Sequence, residues 1–65
     1  MRIQVNGTEQ TVRGTTLAEV LAELGHGEAR IATAVNEEFV PADARVDRRL
    51  SEGDRVEIVT PRQGG

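Results

Sequence analysis

The chain has no cysteine, tryptophan or tyrosine, and its 65 residues include one phenylalanine and one histidine. Each shortage removes a class of function. Without cysteine there is no disulfide scaffold, no thiolate metal site and no thiol nucleophile. A single aromatic, Phe39, cannot build a stacking platform for bases. His26 sits between glycines in "LGHGE" with no second ligand at a metal-binding spacing, so it reads as a solvated loop residue rather than a metal ligand. No apolar run approaches membrane-spanning length, and the opening "MRIQVNG" carries no apolar signal region. A soluble cytoplasmic protein with no membrane partner is the expectation.

The charge balance points away from nucleic acid. Eleven acids stand against eight bases, for a net charge of −3, whereas nucleic-acid binders draw most of their affinity from a basic stripe. The one basic cluster, "RVDRR" from Arg45 to Arg49, is interrupted by Asp47 and reads as a solvated face. Length sets a further bound. A chain this short forms one domain with a small core and little room for a deep apolar cleft, which argues against a self-contained enzyme. No catalytic residue and no metal ligand is assigned, and the free protein is expected to be a monomer.

What is present is strongly patterned. In "MRIQVNGTEQTV", Asn6-Gly7 is a hairpin signal, because a type I′ turn needs positive φ at both central residues. The two-residue loop pairs Val5 with Thr8, Ile3 with Gln10 and Met1 with Val12, and turns Met1, Ile3, Val5 and Val12 to one face. "TTLAEVLAELG" reads as a helix: Thr16 and Glu19 fit a capping box, Gly25 suits the left-handed position after the last turn, and Leu17, Val20, Leu21 and Leu24 form one stripe. "IATAVN" leans to strand with Ile31, Thr33 and Val35 on one side and Ala32 and Ala34 on the other. After the turn "NEE", "FV" is a short strand that Pro41 confines to a sheet edge or end. "ADARVDRR" is irregular or one helical turn, and Leu50 is expected to plug the core. "RVEIVT" is the last strand, with Val56 and Ile58 on one face and Arg55, Glu57 and Val59 on the other. It must lie beside the first strand to bring the most apolar strands to the middle. The result is an α+β domain, a mixed four- to five-stranded sheet with one helix on one face, over residues 1–60. Pro61 lacks an amide hydrogen and ends strand pairing. Residues 61–65 then form a flexible C-terminal tail ending in Gly64-Gly65.

Taken in order, "IQVNG", "TLAEVLAELG", "AVNEEFVP", "LSEGDRVEIV" and the closing "QGG" resemble the ThiS family, the sulfur carriers of thiamine biosynthesis, within the ubiquitin-like β-grasp superfamily. Three positions depart from the family pattern: Glu37 stands where glycine is common, and Arg45 and Arg49 where aromatic or apolar residues are common. "RVDRRLSEGD" is equally similar to the small subunit of molybdopterin synthase, a sister carrier.

The resemblance implies a protein substrate, not an enzyme. The carboxylate of Gly65 would be adenylated by a ThiF-type activating enzyme that brings its own ATP and Mg²⁺, and no cofactor would be bound by the carrier itself. Sulfur from a cysteine desulfurase would convert it to a thiocarboxylate, which would donate sulfur to a thiazole synthase of the ThiG type. Arg62, Gln63 and Gly64 would thread into the partner's slot, where glycine permits close backbone approach. From Pro61 to Gly65 the chain spans at most about 17 Å. The exposed sheet face, with Val59 and Ala34 rimmed by Arg55, Glu57 and Arg2, is the candidate docking surface. Alternatives are a molybdopterin-type carrier, a ubiquitin-like modifier joined to lysine amines, and an RNA-binding β-grasp module.

Overall fold

The computed structural model describes residues 1–27 and 30–60. Five strands and one α-helix follow the order β1 (Arg2–Val5), β2 (Thr8–Thr11), α1 (Leu17–Glu23), β3 (Ala32–Val35), β4 (Glu38–Val40) and β5 (Arg55–Val59), with a 3₁₀ turn at Ala42–Ala44. The sheet order is β2-β1-β5-β3-β4. β1 and β5 run parallel; the other neighbours are antiparallel. This is the mixed sheet with one helix that the resemblance implied.

The first hairpin has the expected register, Val5 opposite Thr8 and Ile3 opposite Gln10. Reciprocal bonds of 2.8 Å between the Met1 and Val12 backbones extend it. Asn6 and Gly7 hold φ of 51° and 85°, the two left-handed residues that a type I′ turn needs. The β3–β4 hairpin uses the same device, with Val35 opposite Glu38 and φ of 51° at Asn36 and 72° at Glu37. Glu37 therefore carries a Cβ where the backbone favours none. Glutamate in this region is strained by about 1–2 kcal/mol.

Helix α1 has both its predicted ends. The Glu19 amide donates to Thr16 Oγ1 at 3.2 Å, and the Glu19 carboxylate accepts from the Thr16 amide at 3.2 Å, completing the capping box. At the other end Gly25 (φ 90°) closes a Schellman motif: its amide donates to Ala22 O and that of His26 to Leu21 O. Leu17, Val20 and Leu21 are buried against Ile3, Val12, Val35, Val56 and Ile58 on the inner sheet face. A helix this short is unstable alone, so this packing is what keeps it folded.

The stretch 42–50 finds its role across the chain. Arg48 O accepts from the Leu17 amide at 2.8 Å, Arg45 O from the Ala18 amide at 3.1 Å, and the Leu50 amide donates to Thr15 O at 2.9 Å. The segment thus satisfies the first amides of α1, which no helix satisfies internally. Leu50 fills the core beneath it. Arg45, standing where the family pattern is apolar, is half-buried and bonds Thr33 Oγ1 at 3.1 Å and Ile31 O at 2.7 Å. Thr33, the buried polar residue of the inner face, donates in turn to Val40 O at 3.0 Å.

Two glutamates on the solvent side of α1 hold the loop that leads into it. Glu23 accepts from the amides of Gly14 and Arg13, and Glu19 from the amide and hydroxyl of Thr15. The Gly14 and then the Arg13 amide lower the Glu23 pKa below the ordinary carboxylate range; the Thr15 amide, then its hydroxyl, does the same for Glu19. A native pKa below the unfolded one means that the unfolded chain takes up more protons as pH falls. The stabilisation is therefore complete above the ordinary carboxylate range and is lost as pH drops through the lowered native values.

Two stability predictions follow from this geometry. Glu37→Gly relieves the left-handed strain, and after allowing for glycine's greater unfolded-state freedom it should stabilise the domain by roughly 0.5–1 kcal/mol. Thermal unfolding followed by circular dichroism should show Tm raised by about 2–8 °C for a domain of this size. Glu23→Gln should lower Tm at neutral pH and flatten the fall in Tm between about pH 6 and about pH 3; an unaltered pH profile would refute the role given to Glu23.

Candidate functional site

Strand alternation divides β5 cleanly. Val56 and Ile58 turn inward, and Glu57 and Val59 outward, on the face opposite the helix. On β3, Ala32 and Ala34 share that outer face, and on β4 Phe39 does. The register sets Ala32 opposite Val59, and Ala34 between Glu57 on one side and Phe39 on the other. Alanines on the middle strand leave a floor without bulk, and the larger side chains beside them make walls. Ala32, Thr33, Ala34, Phe39, Glu57 and Val59 accordingly line a shallow depression of ≈ 160 Å³. That is smaller than the roughly 300 Å³ at which small-molecule pockets begin.

Phe39 and Val59 are 68% and 62% exposed, although both are large and apolar. Exposed apolar area of this kind is free energy that burial would recover. Val59 also lies next to Thr60, the last described residue.

Of the residues expected to dock a partner, the structure brings together Val59, Ala34 and Glu57. Arg55 shares the outer face but lies toward the other end of β5, level with Asn36, whose side-chain oxygen accepts from its amide at 3.0 Å. Arg2 is not part of the rim. Its carbonyl accepts from the Gly53 amide, beyond the start of β5, and its guanidinium is drawn to Glu52 at 3.4 Å and Glu9 at 3.7 Å. The reason is β1's parallel course, which puts its first residue at the end of the sheet away from Val59. Phe39 is the residue missing from the sequence-based surface. The signal was available, because an inward Val40 on a strand turns Phe39 outward.

His26 lies in the turn after α1, half-buried. Among the described residues no group of three or more His, Cys, Asp or Glu side chains is placed to hold a metal ion, and no helix is long and apolar enough to cross a membrane. Arg62, Gln63, Gly64 and Gly65 lie outside the described residues.

A profile of the ThiS family matches residues 3–65, a span that includes Gly64 and Gly65. The sulfur carrier protein ThiS of Thermus thermophilus is 40% identical over 63 residues, covering 97% of this chain and 98% of that one. Among solved structures, the crystal structure of the thiamine biosynthesis protein ThiS from Geobacter metallireducens superimposes with a TM-score of 0.84 at 29% identity, over the full length of both chains. The solution structure of a thiamine biosynthesis protein from the same organism gives a TM-score of 0.78 at 28% identity, over all of this chain and 88% of that one. With both its sequence and its strand order accounted for in this way, the chain belongs to the ThiS family, whose members are carriers rather than catalysts.

Proposed function

We propose that this protein carries sulfur for thiazole formation in thiamine biosynthesis, as a thiocarboxylate on Gly65. The observation that carries the reading is the family match running through Gly64 and Gly65. A free carboxylate is a poor electrophile because oxide is a very poor leaving group. Attack by the Gly65 carboxylate on the α-phosphorus of ATP expels pyrophosphate and leaves an acyl adenylate. A persulfide supplied by a cysteine desulfurase system then adds to the acyl carbon and AMP departs; a thiol reductant cleaves the resulting acyl disulfide with two electrons, leaving –COS⁻ and a disulfide. ATP and Mg²⁺ are held by the activating enzyme, and this chemistry belongs to the cytoplasm. A thiazole synthase then takes the sulfur.

The chain's own contribution is approach. Glycine at 64 and 65 has no side chain to widen the tail, so a partner can close tightly around it and exclude water from the acyl adenylate. The patch formed by Phe39, Ala34 and Val59 docks the body, and the tail starts beside it. Docking and threading then become one event, with the reacting end within about 17 Å of the sheet. The ThiS-family match favours the thiamine branch over the molybdopterin one.

Incubation with an activating enzyme, ATP and a sulfur source, followed by intact-mass measurement, should show one oxygen exchanged for sulfur on the free protein. Gly64→Val should abolish that exchange while leaving Tm unchanged. Adducts on the lysines of other proteins, with no exchange on the free chain, would instead indicate a modifier. For docking, Val59→Arg and Phe39→Arg should each raise the carrier's KM in the activation assay by roughly tenfold, the scale of a central contact residue. Both side chains are exposed, so the fold should survive, and an unchanged KM for both would remove this face from the interface.

A further inference from the structure

We infer that Asn6 is a positioning residue for the tail: its carboxamide stands in for the continuation of β1 that the turn removes, and holds the end of β5 so that the chain leaves the sheet at a fixed place. The inference rests on the reading that a partner takes up the tail.

β1 ends at Val5, where the hairpin turns away. The Asn6 amide makes a backbone bond to β5, donating to Val56 O at 2.9 Å. β5 continues to Val59, and the amide and carbonyl of Ile58 face the side where β1 no longer runs. The Asn6 side chain meets both. Its Oδ1 accepts from the Ile58 amide at 2.8 Å, and its Nδ2 donates to Ile58 O at 3.1 Å. Had β1 run on in parallel, these two bonds would have come from the carbonyl of residue 6 and the amide of residue 8, so one carboxamide does the work of two backbone groups. On the opposite side Val59 pairs with Ala32. The last residues before the tail are thus gripped from both neighbours.

The position makes two demands on its residue. Its φ of 51° requires tolerance of the left-handed region, and the grip requires a donor and an acceptor on a short arm. Glycine meets the first demand and not the second, so Asn6→Gly removes the grip without straining the turn. The second hairpin supplies the control. Asn36 has the same φ of 51° and the same place in its turn; its Oδ1 accepts from the Arg55 amide at 3.0 Å, at the beginning of β5, while its Nδ2 donates to the Asp54 carboxylate at 3.1 Å rather than to the strand's backbone. Two equivalent asparagines therefore hold the two ends of one strand, and Asn6 holds the end that leads to the tail.

The test compares Asn6→Gly with Asn36→Gly in the full chain. In hydrogen exchange by NMR, Asn6→Gly should speed exchange of the Ile58 amide by roughly tenfold or more while the Glu57 amide, which faces β3, keeps its protection. Asn36→Gly should do the same at Arg55 alone. In the activation assay Asn6→Gly should raise the carrier's KM about fivefold with kcat unchanged within about twofold, because a loose root must be ordered on docking. Asn36→Gly should leave KM unaltered. Equal KM values for Asn6→Gly and wild type, equal KM rises in the two variants, or an Ile58 amide that stays protected would each overturn the inference and leave the carrier reading intact. A wild-type chain that takes up no sulfur at all would overturn that reading, and the inference with it.

Discussion

Everything in this domain depends on the insertion of β5 between β1 and β3. The two hairpins make no sheet with each other, and β5 joins them, parallel to one and antiparallel to the other. Its inward residues, Val56 and Ile58, sit under the helix among Ile3, Leu17 and Val20. Its outward residues Glu57 and Val59 line the depression on the other face. Core and outer-face depression are two aspects of one strand, Arg55–Val59. That economy suits a chain too short to build separate parts for each task.

What could be read from the sequence was what depends on near neighbours. The Asn6-Gly7 turn, the Thr16–Glu19 box, Gly25 and the alternation of β5 are each set by residues a few positions apart, and each stands in the structure as expected. The central place of β5 was legible as well, because its inward apolar pair has no other use. In the stretch 42–50 the single turn at 42–44 and the buried Leu50 were legible, but its bonds to Thr15, Leu17 and Ala18 were not, because no local pattern encodes a partner so far back in the chain. Arg45 belongs to the same class. It departs from the family's apolar preference, yet its guanidinium ties Ile31 and Thr33 to the segment that caps the helix. No local pattern marks the role of Glu23 either: the amides it accepts from belong to the loop before the helix.

The candidate site was half legible. Alternation put Val59, Ala34 and Glu57 on the outer face, but only register decides which of their neighbours stand beside them. Register brings Phe39 next to Ala34 and carries Arg2 to the far end of the sheet. The depression is therefore defined by cross-strand neighbours: the Ala34–Phe39 pair follows from the short turn between them, whereas the pairing of β3 with the distant β5 does not follow from any local pattern. Its floor is Ala32 and Ala34, and Phe39, Val59 and the charged Glu57 stand around it.

The central place of the last strand also bears on quality control. A copy that stops before Arg55 has two separate ribbons, β1–β2 and β3–β4, neither of which is stable by itself in water. Such a fragment is what proteases that clear unfolded chains remove. Whether the domain folds at all is thus decided by whether a single strand is there.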